Sequence, residues 1–432
     1  MLRLLLLTGL LAASTIQLRA RPLAQTEQQA DTLRLTLPEA EQRFAQRNLT
    51  LLAQNYNITV AQAQAVQARL LDNPSLYLEQ DVLGRRLLSR EVPDGTPGSE
   101  VIFSFQQLVS LAGRRRAAGK AAEQAAIVER YNLEDLLRNL RFQLRTTFYD
   151  IFYKQQTLRV YESEIPSLRH TVEQYQGQYE KGNIALKEVI RLKAFLFSLE
   201  SERLALLNEL TSHQADLHIL LRDSTDTNYQ PVANVERVKQ LTLNAFPETA
   251  LTDSALARRA DVLARKAGVE QQNLNLRLQR TLAKPDLAVG YTYDRAGSYI
   301  NNYHALTLGM SVPVFNRNQG NIQAAKAQIA GAQAQLELQQ LAVRHEVREA
   351  YQLARQADEL YRHTNRDLVP FSNLIDAIER SYAKRVIGIV EYLDFYEAYK
   401  NNVAQVNALR ANRVRAFEQI NLAVGKTVFR AE

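Results

Sequence analysis

Two stretches of the chain carry one pattern: Arg69-Leu70-Leu71-Asp72-Asn73-Pro74-Ser75-Leu76 and, 211 residues later, Arg280-Thr281-Leu282-Ala283-Lys284-Pro285-Asp286-Leu287. Further identities recur in chain order: Ser104, Gly113 and Ala117 return as Ser311, Gly320 and Ala324, and Tyr179, Lys181 and Glu188 return as Tyr382, Lys384 and Glu391. Because this order is kept while the offset falls only from 211 to 203 residues, the chain contains an internal repeat. We expect two units, 33–230 and 249–432, joined by a connector at 231–248.

Each unit begins with a predicted helix that ends before a proline. Pro74 and Pro285 stop these helices, since proline lacks a backbone N–H and disfavours helical geometry in the residue before it. Stretches with a period of two residues follow, and they predict two hairpins. The predicted helices are 37–72 and 251–283, and the predicted strand pairs are 75–83 with 101–108 and 286–294 with 303–314. One apolar face and one small or polar face, as in these stretches, is typical of membrane β-strands.

A very long helical pattern follows each hairpin. Ile322, Ile329, Leu336 and Val343 are spaced by sevens, as in a coiled coil. Each pattern covers about 65 residues, which corresponds to roughly 100 Å of helix. Pro166 and Pro370 fall inside these patterns and predict a kink or a short break. The units end with predicted helices at 188–222 and 391–424.

The composition excludes several classes of protein. The chain of 432 residues has no cysteine, so it has neither disulfides nor cysteine zinc sites, and its net charge of +7 over a mixed surface argues against nucleic-acid binding. Residues 1–24 resemble a signal peptide, with Arg3 before an apolar run and cleavage after Ala20 or Ala24. No later apolar run is long enough for a spanning helix. We therefore expect an exported protein.

The predicted architecture is mainly α with a small β part. Four strands cannot stand alone in a bilayer, because an open sheet leaves edge groups without partners in hydrocarbon. Three copies would supply the strands of a twelve-stranded barrel. The alternative is a soluble coiled-coil rod, which leaves the alternating segments and the export signal unexplained.

Three motifs resemble the TolC-type outer-membrane efflux family, and the resemblance covers nearly the whole mature chain. One is the run Ser311-Val312-Pro313-Val314-Phe315-Asn316-Arg317-Asn318-Gln319-Gly320-Asn321, similar to the strand-to-helix junction of metal and drug efflux members. Another is Arg259-Ala260-Asp261-Val262, similar to a helix start of the family, with alanine where proline is usual. The third runs from Tyr179 to Ile190 and is similar to the family's helical tip. Its second copy has Arg385 in place of Gly182.

This resemblance implies a homotrimer whose outer-membrane β-barrel continues into a periplasmic α-helical barrel. It implies docking onto a periplasmic adaptor that is fed by an inner-membrane pump, with a leaning toward the resistance-nodulation-division (RND) type. It also places extracellular loops at 84–100 and 295–302, tips at 182–188 and 385–391, and an equatorial belt at 223–250 and the C-terminus. The absence of cysteine places the chain with the unlipidated members.

The tips supply the candidate site residues. The predicted adaptor-docking residues are Gly182, Ile184, Leu186, Arg385, Ile387 and Ile389; the alternative for the apolar ones is packing within their own turn. The predicted entrance gate is Lys187, Glu188, Glu391 and Asp394; here the alternative is ordinary solvated charge.

A second set of candidate residues lies where strands meet helices. The predicted junction residues are Pro74, Pro285, Pro313, Gly113 and Gly320. The run Arg114-Arg115-Arg116 opens a long helix, where positive charge opposes the helix dipole, so an anionic group should lie nearby. We expect these arginines at the bilayer rim, near lipid headgroups.

The sequence contains no recognisable catalytic or cofactor motif. Its six histidines are scattered, and no HExxH, GxSxG, Walker or Rossmann pattern is present. We expect no enzyme activity, no cofactor and no resident metal. The predicted function is a passive duct in the outer membrane of a Gram-negative bacterium. The alternatives are an exported scaffold, a periplasmic adaptor or the duct of a type I secretion system. The cargo stays open between metal cation, drug and secreted protein.

Overall fold

A computed structural model of the chain describes residues 32–430 apart from 81, 83–99, 226, 244–245, 297–299, 368–376, 379, 383 and 385. The helices are α1 (Leu37–Arg47), α2 (Leu49–Gln67), α3 (Arg114–Glu180), α4 (Leu186–Leu221), α5 (Val235–Gln240), α6 (Glu248–Arg258), α7 (Ala260–Leu282), α8 (Gln319–Asp367) and α9 (Ile389–Val424). The strands are β1 (Thr32–Thr36), β2 (Ser75–Gln80), β3 (Val101–Val109), β4 (Asn228–Val232), β5 (Leu287–Ala296) and β6 (Asn301–Met310). The predicted signal peptide, Pro370 and most of the loop 84–100 lie outside the described residues.

The helices pack side by side in a row. The long helices α3 and α8 run through both the half of this row next to the larger sheet and the half farther from it. Next to the larger sheet, α2 packs on α3, α3 on α7, and α7 on α8. Farther from the sheet, α4 packs on α3, α3 on α9, and α9 on α8. The row therefore has α2 and α4 at one edge and α8 at the other.

Each predicted first helix is in fact two helices. The stretch 37–72 is divided at Asn48 and ends at Gln67, and the stretch 251–283 is divided at Arg259. Both dividing residues have extended backbone, with φ/ψ of −60°/122° and −61°/130°. A single extended residue interrupts the hydrogen-bond ladder without disturbing the apolar pattern much, which is why sequence periodicity did not show it.

The helix α3 is continuous through Pro166, so of the predicted kink or short break the break is wrong. Proline removes one hydrogen bond of the ladder. The neighbours Ile165 and Leu168 are buried in the core, and their packing stabilises the helix on both sides of the proline.

The larger sheet has the strand order β2-β3-β5-β6, and all its neighbours are antiparallel. Both predicted hairpins are present, and β3 joins them by pairing with β5. The last predicted strand, 303–314, was predicted to end four residues too late, because β6 stops at Met310. Pro313 cannot donate a ladder hydrogen bond, which fits this early end.

A second, smaller sheet lies far from the first one and was not predicted. There β1 pairs in parallel with β4, which brings Leu35 and Tyr229 into the main hydrophobic cluster. That cluster lies at the level of the two helix divisions and includes Phe148 and Phe417. A second cluster lies toward the turns between α3 and α4 and before α9, around Leu192 and Tyr392.

No helix among the described residues is long and apolar enough to cross a membrane.

Candidate functional site

One face of the larger sheet is apolar across all four strands. A row of paired residues runs Leu76, Phe105, Tyr291 and Leu306 from edge to edge. Neighbouring rows contain Leu78, Phe103, Tyr293 and His304, then Val289 with Leu308, then Leu287 with Met310. This face is bare to solvent in the single chain, with 84% of Leu306 exposed. A soluble monomer rarely exposes a patch of this kind.

The opposite face carries small and polar residues. Ser104 lies between Tyr77 and Thr292, and its hydroxyl is 3.3 Å from that of Thr292. Gly290 lies beside Thr307 in the next row, where an added Cβ would lie 2.4 Å from the threonine hydroxyl. The alternation predicted from the sequence is therefore present in three dimensions, with one face suited to lipid and the other to water.

The strand-to-helix junctions bring several predicted residues together. Gly113 precedes α3 with a φ of 70°, which favours glycine. Arg114, the first residue of α3, donates a hydrogen bond of 2.8 Å to a carboxylate oxygen of Asp286, which directly follows Pro285. The expected anionic partner of Arg114 is thus inside the chain.

The remaining junction residues are plainer. Gly320 is the second residue of α8 and needs no unusual backbone, and Pro74 lies well beyond the end of α2. Pro313 lies in the segment between β6 and α8, where Val312 and Val314 are exposed and Phe315 is 93% exposed. This segment continues the apolar face of the sheet toward the helices.

The turn between α3 and α4 is built around Gly182, as predicted. Gly182 has a φ of 76°, and its N–H donates to the carbonyl of Tyr179 at 2.9 Å. Asn183 closes the turn by donating from its backbone and its side chain to Gln178. Leu186, just after this turn, is exposed, whereas Ile184 is half-buried.

The turn before α9 has a different shape. Arg385 lies outside the described residues. Gly388 has extended backbone, with φ −80° and ψ 164°, so it does not replace the left-handed glycine of the other turn. Ile387 and Ile389 are half-buried against the second cluster, which corrects the expectation that both are exposed. The exposed apolar residues at this turn are instead Val386 and Val390.

The four predicted gate charges are close to the turns. Lys187, Glu391 and Asp394 are exposed, and Glu188 is half-buried. None of them forms an ion pair within the described part of the chain.

Sequence reasoning missed a stack of tyrosines behind the turns. The ring of Tyr382 stacks on Tyr392 at 4.2 Å and on Tyr175 at 5.8 Å. Its hydroxyl is buried without a hydrogen-bond partner among the described residues. Burial and the nearby phenol of Tyr175 raise the pKa of Tyr382. The tyrosines at 382, 392 and 396 were visible in the sequence, but their contact with α3 was not.

An ion pair between a buried lysine and a half-buried glutamate, also missed, joins α4 to α9. Lys400 lies at a core position, and its ammonium is 2.7 Å from Glu202, which also accepts from Tyr161 at 2.9 Å. Burial raises the pKa of Glu202, but the bonds from Lys400 and Tyr161 outweigh it and hold the pKa below its usual value.

Buried arginines join the helices at the level of the main cluster. Arg413, 1% exposed, donates to Asp358 and to the carbonyls of Val238 and Leu241, and so ties the connector to α8 and α9. Arg145 bonds Glu418, and burial raises the pKa of that carboxyl. These contacts position the helices, and nothing in them resembles a catalytic arrangement.

No group of three histidine, aspartate or glutamate side chains that could hold a metal ion is present among the described residues.

Comparison with known proteins agrees with this geometry. The family model described as outer membrane efflux protein matches residues 40–221 and 251–426. The cobalt-zinc-cadmium resistance protein CzcC of Cupriavidus metallidurans is 21% identical over 299 residues, which cover 69% of this chain and 68% of CzcC.

Two solved channels have a similar fold. The CmeC outer membrane channel of Campylobacter jejuni superposes with a TM-score of 0.74 at 14% identity, over 92% of this chain and 87% of CmeC. The outer membrane protein VceC of Vibrio cholerae gives a TM-score of 0.68 at 18% identity, over 90% of this chain and 96% of VceC.

Proposed function

The chain belongs to the outer membrane efflux protein family, and from this premise we propose that three copies of it close into one continuous duct. The protein is an outer-membrane channel component of a tripartite efflux system, and it extends into the periplasm. The trimer, its contact surfaces and the cargo are the proposed parts. We also propose the division of the chain into repeats at 33–230 and 249–432 around a connector at 231–248.

The open edges of the larger sheet carry this proposal. β2 and β6 are the edge strands, and because strand directions alternate along the sheet, β6 of one copy meets β2 of the next in antiparallel orientation. Three copies then form a twelve-stranded barrel with no open edge. The apolar face containing Leu306 and Leu308 faces the lipid, and the face containing Ser104 and Thr292 lines the lumen.

The edges of the helix row support the same closure. On α2, exposed apolar residues recur at steps of three and four: Leu49, Leu52, Tyr56 and Val60. On α8, Leu338 and Leu341 are exposed at the opposite edge of the row. We propose that α8 of one copy packs against α2 and α4 of the next, which buries both stripes and leaves a hollow sheath of helices.

We propose that the two turns dock onto a periplasmic adaptor. Leu186, Val386 and Val390 are exposed apolar residues there, Gly182 sets the tight reversal, and Ile184 adds half-buried surface. From the second turn we propose Ile387 and Ile389 as docking residues, together with Arg385, which lies outside the described residues. The change Leu186→Asp should weaken adaptor binding to the purified trimer in a titration, and unchanged binding would exclude Leu186 from the interface.

We propose that the gate charges pair between copies. Lys187, Glu188, Glu391 and Asp394 lie beside the turns without ion pairs inside the described chain, which supports partners in a neighbouring copy. Charge reversal at Glu391 or Asp394 should raise single-channel conductance in planar bilayers. Unchanged conductance would show that these are ordinary solvated charges.

We propose that Arg115 and Arg116 lie at the inner bilayer rim and contact lipid phosphates. Arg114 is already paired with Asp286, which leaves the next two arginines for an external anion. The exposed Phe315 is an apolar anchor at a comparable junction, before α8. Replacing Arg115 and Arg116 by glutamine should remove the dependence of trimer stability on anionic lipid; an unaltered dependence would contradict this placement.

We propose a divalent metal cation as cargo, delivered by an RND-type pump. The relative CzcC is a cobalt-zinc-cadmium resistance protein, which supports this class. Disruption of the gene should sensitise cells to cobalt, zinc or cadmium. Sensitivity to drugs alone, or loss of a secreted protein, would assign the duct to a different pump.

The duct itself is tested with protein purified from outer membranes. We expect a heat-modifiable trimer on gels and stepwise conductance in planar bilayers. A soluble periplasmic monomer that forms no pores would overturn the proposal.

A further inference from the structure

The apolar face of the larger sheet becomes polar at the end that lies away from the helices. The last aromatic row there pairs Tyr293 of β5 with His304 of β6. Arg295 lies two residues after Tyr293, so the alternation of a strand puts both side chains on this face. The hydroxyl of Tyr293 donates to the side-chain oxygen of Asn302 at 2.9 Å, which places Asn302 on the same face. We call Arg295, Asn302 and His304 the outer polar row.

The outer polar row is rich in hydrogen-bond donors. The hydroxyl of Tyr291 is 2.6 Å from Nδ1 of His304, and with this hydroxyl as the donor the imidazole proton is on Nε2. Asn302 uses its side-chain oxygen to accept from Tyr293, and its amide nitrogen is a donor. Arg295 adds a permanent positive charge and a planar fork of N–H groups. The row is therefore suited to an anion.

Acidic side chains at this end of the sheet lie on the opposite face. Glu79 of β2 pairs with Ile102 of β3, which in turn pairs with Asp294 of β5. Both carboxylates thus share the face that carries Ser104. The described strand residues of the apolar face include no acidic side chain. The strands separate charge by face, with positive charge on the face suited to lipid.

The spacing along β5 puts the outer polar row at the level of lipid headgroups. The apolar rows run from Leu287 to Tyr293, about 20 Å of strand. The exposed Val312, Val314 and Phe315 extend the apolar surface toward the helices. The apolar band of an outer-membrane barrel is about 25 Å tall, so it ends near the outer polar row. Because the helices lie on the periplasmic side, this row faces the outer leaflet.

We propose that Arg295, Asn302 and His304 bind a phosphate group of lipopolysaccharide, the phosphorylated glycolipid of the outer leaflet, whose acyl chains then lie along the apolar rows. The proposal rests on the proposed barrel in the outer membrane. A guanidinium pairs well with phosphate because its parallel N–H groups match two phosphate oxygens. The site is separate from the arginines proposed for the inner rim, which lie at the other end of the sheet.

The number of lipopolysaccharide molecules that the purified trimer retains tests the site. Native mass spectrometry counts them while purified lipopolysaccharide is titrated into the detergent solution. Arg295→Gln combined with His304→Gln should weaken binding roughly tenfold, as expected for the loss of a charge-assisted hydrogen bond. Arg295→Lys keeps the charge without the planar fork and should fall between this variant and wild type.

The matched control is Arg317→Gln, which removes an exposed arginine at the opposite end of the same sheet. It should bind lipopolysaccharide like wild type. Equal binding by wild type and the double variant would overturn the proposal, and so would an equal loss in the control. A double variant that forms no trimer is replaced by Arg295→Lys, whose binding must then fall below that of wild type.

A second comparison changes the lipid and keeps the protein. Lipopolysaccharide whose phosphates have been removed should bind the wild-type trimer roughly tenfold more weakly than the intact lipid. Phosphatidylglycerol should not displace the intact lipid; displacement would assign the row to phospholipid. Conducting trimers that bind both forms of lipopolysaccharide equally refute this site alone, whereas a wild-type protein that forms neither trimers nor pores refutes the duct.

Discussion

The helix divisions at Asn48 and Arg259 have the same geometry but different chemistry. Each is one extended residue that precedes a helix running toward the larger sheet. Each side chain also donates to a carbonyl at the far end of a later helix: Asn48 to Leu220 and Arg259 to Ala423, both at 3.0 Å.

The difference lies in how each division is closed. Asn48 is neutral and caps α2 itself, since its side-chain oxygen accepts from the N–H groups of Thr50 and Leu51 at 3.0 Å. Arg259 cannot accept a hydrogen bond. It is paired with Asp261, which accepts from the N–H of Val262. One division therefore depends on a single amide and the other on ionised groups.

The largest expected effect is that of Arg259→Ala. The change removes the principal partner of Asp261. It also removes the ion-pair partner of Glu346, which lies 2.5 Å from Arg259. Breaking a buried pair by removing one partner costs about 3–5 kcal/mol, and the exposed Glu346 contributes little of this. Urea unfolding in detergent measures it. The control Arg348→Ala removes an exposed pair with Glu248 and should cost less than about 1 kcal/mol; equal losses would refute the distinction.

The second prediction concerns pH. Burial raises the pKa of Asp261, but the hydrogen bonds and charge of Arg259 outweigh it and leave the pKa below its usual value. The stabilisation from this pair is therefore complete above the unfolded-state pKa of about 3.9 and is lost as pH falls through the folded-state pKa. Wild type should lose stability between about pH 5 and pH 2 more steeply than Arg259→Ala. Parallel curves would contradict the ionic account of this division.

A smaller loss is expected for Asn48→Ala. The change removes the cap of α2 and the donor to Leu220, with a combined cost of about 2 kcal/mol. Asn48→Ser keeps a cap acceptor but is too short to reach Leu220, so it should lie between wild type and alanine. A serine variant no better than alanine in urea unfolding would show that the bond to Leu220, and not the cap, dominates.

The smallest effects are expected at the C-terminal caps of α4 and α9. Arg222 follows α4 with φ 52° and Gly425 follows α9 with φ 74°, so both are left-handed. Arg222→Gly relieves a side chain in this conformation and should stabilise the fold by up to about 1 kcal/mol. Gly425→Ala should destabilise it, since an added Cβ lies 2.9 Å from a side-chain carbon of Arg259. Thermal midpoints of both variants check the signs.

The sequence predicted most of the fold because its signals were local. Alternation of apolar and small residues identified both hairpins, and three- and four-residue spacing identified the long helices. The divisions at Asn48 and Arg259 were missed because one extended residue hardly changes a helical pattern. Asn48 is a strong cap residue, and the run from Arg259 to Val262 resembled a helix start, so both signals were present.

The candidate site was less predictable because it depends on contacts between distant segments. The turn at Gly182 was predicted correctly, since a left-handed turn needs glycine. The exposure of Ile387 and Ile389 was overestimated, because their packing depends on a cluster built by α3, α4 and α9. The partners of Lys400 lie about 200 residues away, and no periodicity within α9 identifies them.

The mass of the complex extracted from outer membranes tests the central claim most directly. Native mass spectrometry in mild detergent should give three times the mass of one mature chain, because the edges formed by β2 and β6 close only between copies. A stable, folded monomer extracted from the outer membrane would contradict the account.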